Sequence, residues 1–261
     1  MNASTENKLE QLLRTAATEP AHRPEFYATL LDSLVYILGF TDDGEDGHET
    51  LEAGRSISIQ HWERPDGVPV IPFFSSLAVV QESIDAEQSY IELPARALFE
   101  MTSGANLVLN PRSEFGKEFS PEEIAWLLEG RVGAPYSRRS IDANTNLILS
   151  EPSEPPAQLI DSLITLFLKH KNVNRAFLGL MHDPDVDEHP HLLIGIDAEG
   201  EIDRVFAEAG SVAVDTSPDG EVVDLVRVVE GDDGVSGYFL NNTKPFYDRS
   251  WAERMTGKGS A

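Results

Sequence analysis

Three consecutive segments between residues 148 and 181 constrain the fold more than any other part of the chain. Pro152, Pro155 and Pro156 fix φ and remove three backbone donors, so residues 148–156 read as an extended, stiff spacer. Ser153 or Glu154 can cap the helix that follows, and Pro155 or Pro156 suits its first turn. Across 157–171, Leu159, Ile160, Leu163, Ile164, Phe167 and Leu168 recur at i, i+3, i+4 spacing and form one apolar face. Lys169, His170 and Lys171 place cations at the C-terminus of that helix, and Asn172 and Asn174 suit the turn. Residues 175–181 then carry apolar side chains on both faces, as a central strand does. A second domain therefore begins here.

Composition excludes several functions. The 261 residues suffice for one large domain or two of ordinary size, and a 41% apolar fraction suffices for real cores. The net charge of -25 is spread through both halves. Such a chain repels nucleic acid phosphates and anionic lipids and steers basic partners towards itself. With no cysteine it forms no disulfide, thiolate metal site or cysteine nucleophile. No run of 18 apolar residues suggests a membrane span, and residues 1–11 are polar, unlike a signal peptide, so a cytoplasmic location is expected.

The first half alternates helices and strands. Residues 7–18 read as a helix with Leu9, Leu12, Leu13 and Ala16 inward, ending near Glu19-Pro20. A second helix spans 24–32, with Phe26, Tyr27, Leu30 and Leu31 inward, and 34–38 is a strand before an acidic loop at 41–54 whose one large apolar anchor is Leu51. Strand-like alternation from Ser56, the turn Arg64-Pro65-Asp66-Gly67 and a return over 68–74 form a hairpin. Pro69 and Pro72 place the returning strand near a sheet edge. Ser75 or Ser76 caps a helix over 77–86, and strands at 90–94 and 106–110 flank a helix at 95–101. Ser120-Pro121-Glu122-Glu123 opens another helix as a capping box with Glu123 at N3, before a polar connection over 130–145. In the second half, 192–196 is a strand, and a helix over 201–209 with Ile202, Val205 and Phe206 inward is closed by Gly210. A strand follows at 222–229, a helix or loop at 234–240, and a last ordered segment at 245–251. The pattern predicts α/β (α+β) architecture: two mixed-sheet domains with helices packed on the sheets, joined by the Pro-rich connection.

Residues 182–191 hold the densest group of metal-capable side chains: His182, Asp183, Asp185, Asp187, Glu188, His189 and His191. Asp183, Asp185 and Asp187 imitate the start of a calcium loop, but Glu188 stands where Gly is needed and Ile194 where Glu is needed. Three histidines beside carboxylates could also take zinc or nickel weakly, yet the stretch reads as a solvated polar loop between two strands and no metal or cofactor is assigned. Phe246, Tyr247, Arg249 and Trp251 have the composition of an interaction hot spot, although such a terminal segment more often packs back on its own domain. His61 and Trp62 are a candidate binding edge or simply a strand end. No Gly-x-Ser-x-Gly elbow, phosphate loop, Gly-x-Gly-x-x-Gly or His-Glu-x-x-His occurs, so no catalytic residue is assigned.

The order of several blocks resembles the enhanced serine sensitivity (SseB) family of bacteria. They are Thr18-Glu19-Pro20-Ala21-His22-Arg23-Pro24, Gln60-His61-Trp62-Glu63, Ile71-Pro72-Phe73-Phe74, Pro94 through Thr102, Gly116-Lys117-Glu118-Phe119, residues 148–167, Leu192 through Asp197, Gly210 through Thr216 and Pro245-Phe246-Tyr247-Asp248-Arg249. The resemblance covers nearly the full length and departs at 41–54, 131–145 and 182–190. It implies a cytoplasmic protein with an N-terminal domain (1–145) and a C-terminal domain (146–261). The family is named for a serine-sensitivity phenotype on overproduction and has been suggested to modulate a rhodanese-type sulfurtransferase. The resemblance brings no catalytic residues, and a chain without cysteine cannot carry a persulfide, so such a role would require binding another protein. The expectation is a non-enzymatic regulator that binds a protein, not nucleic acid or membrane. The alternatives are an enzyme or small-molecule sensor with an interdomain pocket, and an acidic mimic of nucleic acid that blocks a basic protein.

Overall fold

The computed structural model describes residues 6–41, 57–131, 147–218 and 222–251. Among them are a seven-stranded and a five-stranded sheet, both mixed and both packed with helices, so the chain is an α+β protein with two sheet-containing regions. Backbone packing groups the residues up to Thr18 with Glu25–Gly130 in one compact unit, and Glu19–Pro24 with the residues from Arg131 onward in a second. The expected boundary at 145/146 lies outside the described residues, as do nearly all of the acidic loop at 41–54 and the connection at 130–145.

The first half of the chain runs α1 (Lys8–Thr18), α2 (Arg23–Leu31), β1 (Leu34–Thr41), β2 (Ile57–Ile59), β3 (Trp62–Glu63), β4 (Pro69–Phe74), α3 (Leu77–Ser83), β5 (Tyr90–Pro94), α4 (Ala95–Met101), β6 (Leu107–Leu109), β7 (Lys117–Phe119) and α5 (Pro121–Leu128). The sheet order is β2-β1-β4-β6-β7, with β5 also on β1 and β3 also on β4. Asn7 and Glu10 exchange hydrogen bonds across the first turn of α1, at 2.9 and 3.0 Å. Leu9, Leu12, Leu13 and Ala16 are buried, as their spacing predicts. Ser76 caps α3, which stops at Ser83 instead of 86. Ser120 caps α5 by accepting the Glu123 N–H, but the Glu123 carboxylate is held by Tyr27 (3.0 Å) and Lys117 (2.9 Å) rather than closing the capping box. Phe73, Phe99 and Phe119 form the centre of the core, with ring centroids 5.5–5.9 Å apart.

The expectation that Pro69 and Pro72 mark an edge strand fails: β4 lies inside the sheet, between β1 and β6. The Ile71 N–H donates to Asn106 O and Phe73 O accepts from the Asn110 N–H, so position 72 faces away from β6. The register that pairs Phe73 with Ile37 would bring Leu38 opposite Pro72, and the Leu38 carbonyl takes the Gln60 N–H instead, at 2.9 Å. Pro72 thus sits where β3 gives way to β1 and no donor is required of it, while Pro69 merely opens the strand.

The second unit comprises a 3-10 turn (Pro20–His22), β8 (Ile148–Ser150), α6 (Ala157–Phe167), β9 (Val173–His182), β10 (His191–Ala198), α7 (Asp203–Thr216), β11 (Val223–Arg227), α8 (Val235–Asn242) and β12 (Tyr247–Asp248). The order is β11-β10-β9-β12, with β8 also on β9, and only β10 and β11 are parallel. Leu159, Leu163 and Phe167 of α6 and Val205, Phe206 and Val212 of α7 bury one sheet face with Ala176, Ile194 and Ile196. Phe239 of α8 covers the other face, against Phe177, Met181 and Leu193. Gly195 makes room for it: a Cβ there would lie 2.7 Å from the Phe239 ring. The turn at Pro20–His22 joins this unit through buried Ala21, whose carbonyl accepts from Lys169 Nζ at 3.2 Å. Arg23 pairs with Asp215 at 2.6 Å.

Two helix ends differ from expectation. The cap of α6 is Pro156, with no side-chain hydrogen bond, and the helix stops at Phe167, so Leu168 is left 49% exposed and Leu166 takes a core place. Gly210 does not end α7; it is buried in mid-helix, because Ala209, Val212 and Ala213 on both sides of it belong to the core, and their burial outweighs the glycine penalty. Among the described residues, no helix is long and apolar enough to cross a membrane.

Candidate functional site

The pleat of β1 sends Leu34, Tyr36, Leu38 and Phe40 to one face. The register sets Pro94, Glu92 and Tyr90 of β5 opposite the first three, and Ser58 of β2 opposite Phe40. Next to them, Leu38, Phe74 and Val80 form a small buried cluster ringed by Tyr36, Trp62, Val79 and Ile84. From α3, Val80 joins this cluster and Val79 packs against it. Leu34 (54%), Tyr90 (48%) and Phe40 (58%) remain exposed. Tyr36 and Tyr90 meet edge to face at 6.0 Å, Trp62 packs on Phe74 at 6.1 Å, and the Arg112 guanidinium lies 5.0 Å from the Trp62 ring centroid. The result is an aromatic strip on a sheet face, not an enclosed pocket.

One ionisable pair marks this strip. The Tyr36 hydroxyl donates to Glu92 Oε1 at 2.5 Å across the β1–β5 pair. That hydrogen bond, with burial and the carboxylate charge, pushes the phenol up to about 12. A raised native value favours the protonated ring, so its stabilising contribution is complete below about pH 10 and is lost as pH rises through about 12. Titration of Cζ-labelled tyrosine by NMR should show a late resonance for Tyr36 that Glu92→Gln returns to lower pH; no change in that variant would refute the pairing.

Of the residues singled out from the sequence, Trp62 joins this strip and His61 is exposed beside it. The C-terminal group is divided between core and surface. Tyr247 is buried, with its hydroxyl on Phe167 O at 3.2 Å, and Phe246 stacks on Phe167. Arg249 donates to Lys171 O, and Trp251 is 45% exposed. Sequence reasoning missed Leu34, Phe40 and Tyr90. Apolar residues stand on both faces of β1, and nothing local in the sequence shows which of them end up exposed.

Polar groupings in the second unit include the 182–191 turn and a cleft beside β9. In the 182–191 turn the Asp183 N–H donates to Asp187 Oδ2 (2.9 Å) and the Asp185 N–H to Asp183 Oδ1 (3.1 Å), while His191 Nε2 reaches Asp224 Oδ2 at 2.8 Å. The carboxylates therefore tie down the turn itself, and among the described residues no group of three or more His, Asp or Glu is placed to hold a metal ion. A cleft of about 570 Å³ is lined by Asn174, Arg175, Asp197, Glu199, Glu230, Asp248, Arg249 and Ser250. Its Arg175 is neutralised by Asp197 at 2.8 Å.

Comparison with known proteins agrees with this two-part architecture. The model described as SseB protein N-terminal domain matches residues 9–126, and that described as SseB protein C-terminal domain matches 141–249. Protein SseB of Escherichia coli (strain K12) is 46% identical over 250 residues, covering 95% of both chains, and Protein SseB of Shigella flexneri matches equally. No solved structure gives a significant match.

Proposed function

The chain belongs to the SseB family, and from that premise we propose that it is a non-catalytic, cytoplasmic regulator that acts by binding another protein through the aromatic strip of its first sheet. The observation that carries this reading is the exposure of Leu34, Phe40 and Tyr90 on one sheet face beside Tyr36 and Trp62. Aromatic side chains clustered without cover are the usual anchors of protein interfaces. A rhodanese-type sulfurtransferase, the partner that the family resemblance suggests, suits the reading: with no cysteine, this chain could influence sulfur transfer only by contact.

The test is affinity purification from lysate at physiological salt, with mass spectrometry, of the native chain beside Phe40→Ser/Tyr90→Ser. Both residues are exposed, so the variant should keep its far-UV circular dichroism and melting temperature while losing the captured partner at least about tenfold. Equal capture by both proteins would remove the strip from the proposal. No capture by the native chain would remove the protein-binding role.

A further inference from the structure

Backbone polar groups on the same strip that have no strand partner among the described residues define what it binds. Two hydrogen bonds set the phase of the β1–β5 ladder: the Gly39 N–H to Ser89 O at 3.1 Å and the Ala95 N–H to Ser33 O at 2.9 Å. Hydrogen-bonded pairs recur every second residue in an antiparallel ladder. Ile91 and Leu93 therefore face β1, and the N–H and C=O groups of Tyr90 and Glu92 point away from it. Among the described residues, β1 is the only strand paired with β5. From Ser83 to Pro94 the chain carries Asp85, Glu87 and Glu92 and no cation.

Resting on the protein-binding reading above, we infer that the outer edge of β5, unpaired among the described residues, pairs with an extended, basic segment of the partner, adding a strand to the first sheet. Main-chain bonds to Tyr90 and Glu92 supply the pairing, and the side chains around them select the sequence. Glu92 offers its carboxylate to a Lys or Arg on the added strand, and the exposed Tyr90 ring offers a face to the aliphatic stem or the cation of the next side chain on that face. Pro94 ends the edge after these two positions, so the recognised core is short. A charged edge strand normally discourages pairing, and here that discrimination is directional. Two copies joined edge to edge would bring their Glu92 carboxylates onto adjacent strands, whereas a basic strand relieves the charge.

The probes are three nine-residue peptides added to the full chain: alternating Lys/Val, alternating Glu/Val, and Lys/Val with N-methyl groups on alternate amides. Amide hydrogen exchange and NMR shifts are read over residues 89–95. The Lys/Val peptide should slow exchange at Tyr90 and Glu92, the other two should bind at least about tenfold more weakly, and Glu92→Lys should abolish the preference for Lys/Val. Equal binding of the N-methylated peptide, or protection outside 89–95, would overturn strand addition while leaving docking on the strip intact. Equal binding of Lys/Val and Glu/Val would overturn the basic specificity. Self-association of the chain that protects the same amides would replace the partner strand with a second copy. If no peptide protects these amides while the Phe40→Ser/Tyr90→Ser variant still loses its captured partner, strand addition fails and the protein-binding reading stands.

Discussion

Replacing Phe119 with Ala should cost about 3–5 kcal/mol of stability in the transition reported by Trp62 and Trp126, which makes it among the most damaging single changes in the first sheet. Phe119 is 1% exposed and its ring lies 5.5 Å from Phe99, 5.9 Å from Phe73 and 6.4 Å from Tyr27. It therefore joins a strand of only three residues to β4, α4 and α2. Truncation removes the transfer free energy of a large ring and leaves a cavity among aromatic neighbours that are themselves fixed by packing. Phe119→Leu keeps most of the volume and should cost much less, about 1–2 kcal/mol. Urea unfolding followed by tryptophan fluorescence measures both. Equal shifts of the midpoint for Ala and Leu would show that β7 can peel away without opening the core.

Glu208→Gln should cost about 3 kcal/mol near neutral pH, and the loss should shrink in acid. The Glu208 carboxylate on α7 is only 9% exposed; it accepts from His170 Nε2 at 2.7 Å and from Arg204 Nε at 2.7 Å. Burial pushes this carboxyl up, but the hydrogen bonds and charges of His170 and Arg204 together outweigh burial and hold it below its ordinary range. A depressed native value stabilises the fold above the unfolded-state pKa of about 4.3, and that contribution is lost as pH falls through the native value. The difference between the native chain and Glu208→Gln should accordingly be largest near pH 7 and close below about pH 4. Arg204 is 75% exposed and adds little by itself. His170→Leu/Glu208→Leu, which removes both partners, should recover part of the loss. Urea midpoints at several pH values decide the matter: a constant difference would mean lost packing and not a lost ionic contact.

Residues whose role is local were legible without a structure. Leu9, Leu12, Leu13 and Ala16 carry their helical face in their spacing, Gly67 reaches φ 82° in the turn its neighbours predict, and Ser120 caps its helix. Residues whose role depends on a distant neighbour were not. Pro72 reads as an edge residue until Leu38 is seen to take its bond from Gln60. Gly210 reads as a helix stop until the core on both sides of it is seen, and Phe119 has no periodic partners at all. The candidate docking strip divides in the same way. Trp62 stands out in the sequence, but the exposure of Phe40 and Tyr90 is set by tertiary packing.

The amino-acid order by itself determined the alternation of helices and strands, the acidic surface, the exclusion of thiol chemistry and the likeness to one family, because propensity, charge and composition act within a few residues or over the whole chain. Tertiary structure alone decided which strands are interior, which glycine seats a phenylalanine ring, which carboxylate is buried beside a histidine, and which aromatic side chains of the first sheet are exposed. Each of these depends on contacts between residues far apart in the chain, where packing and hydrogen bonding override local preference.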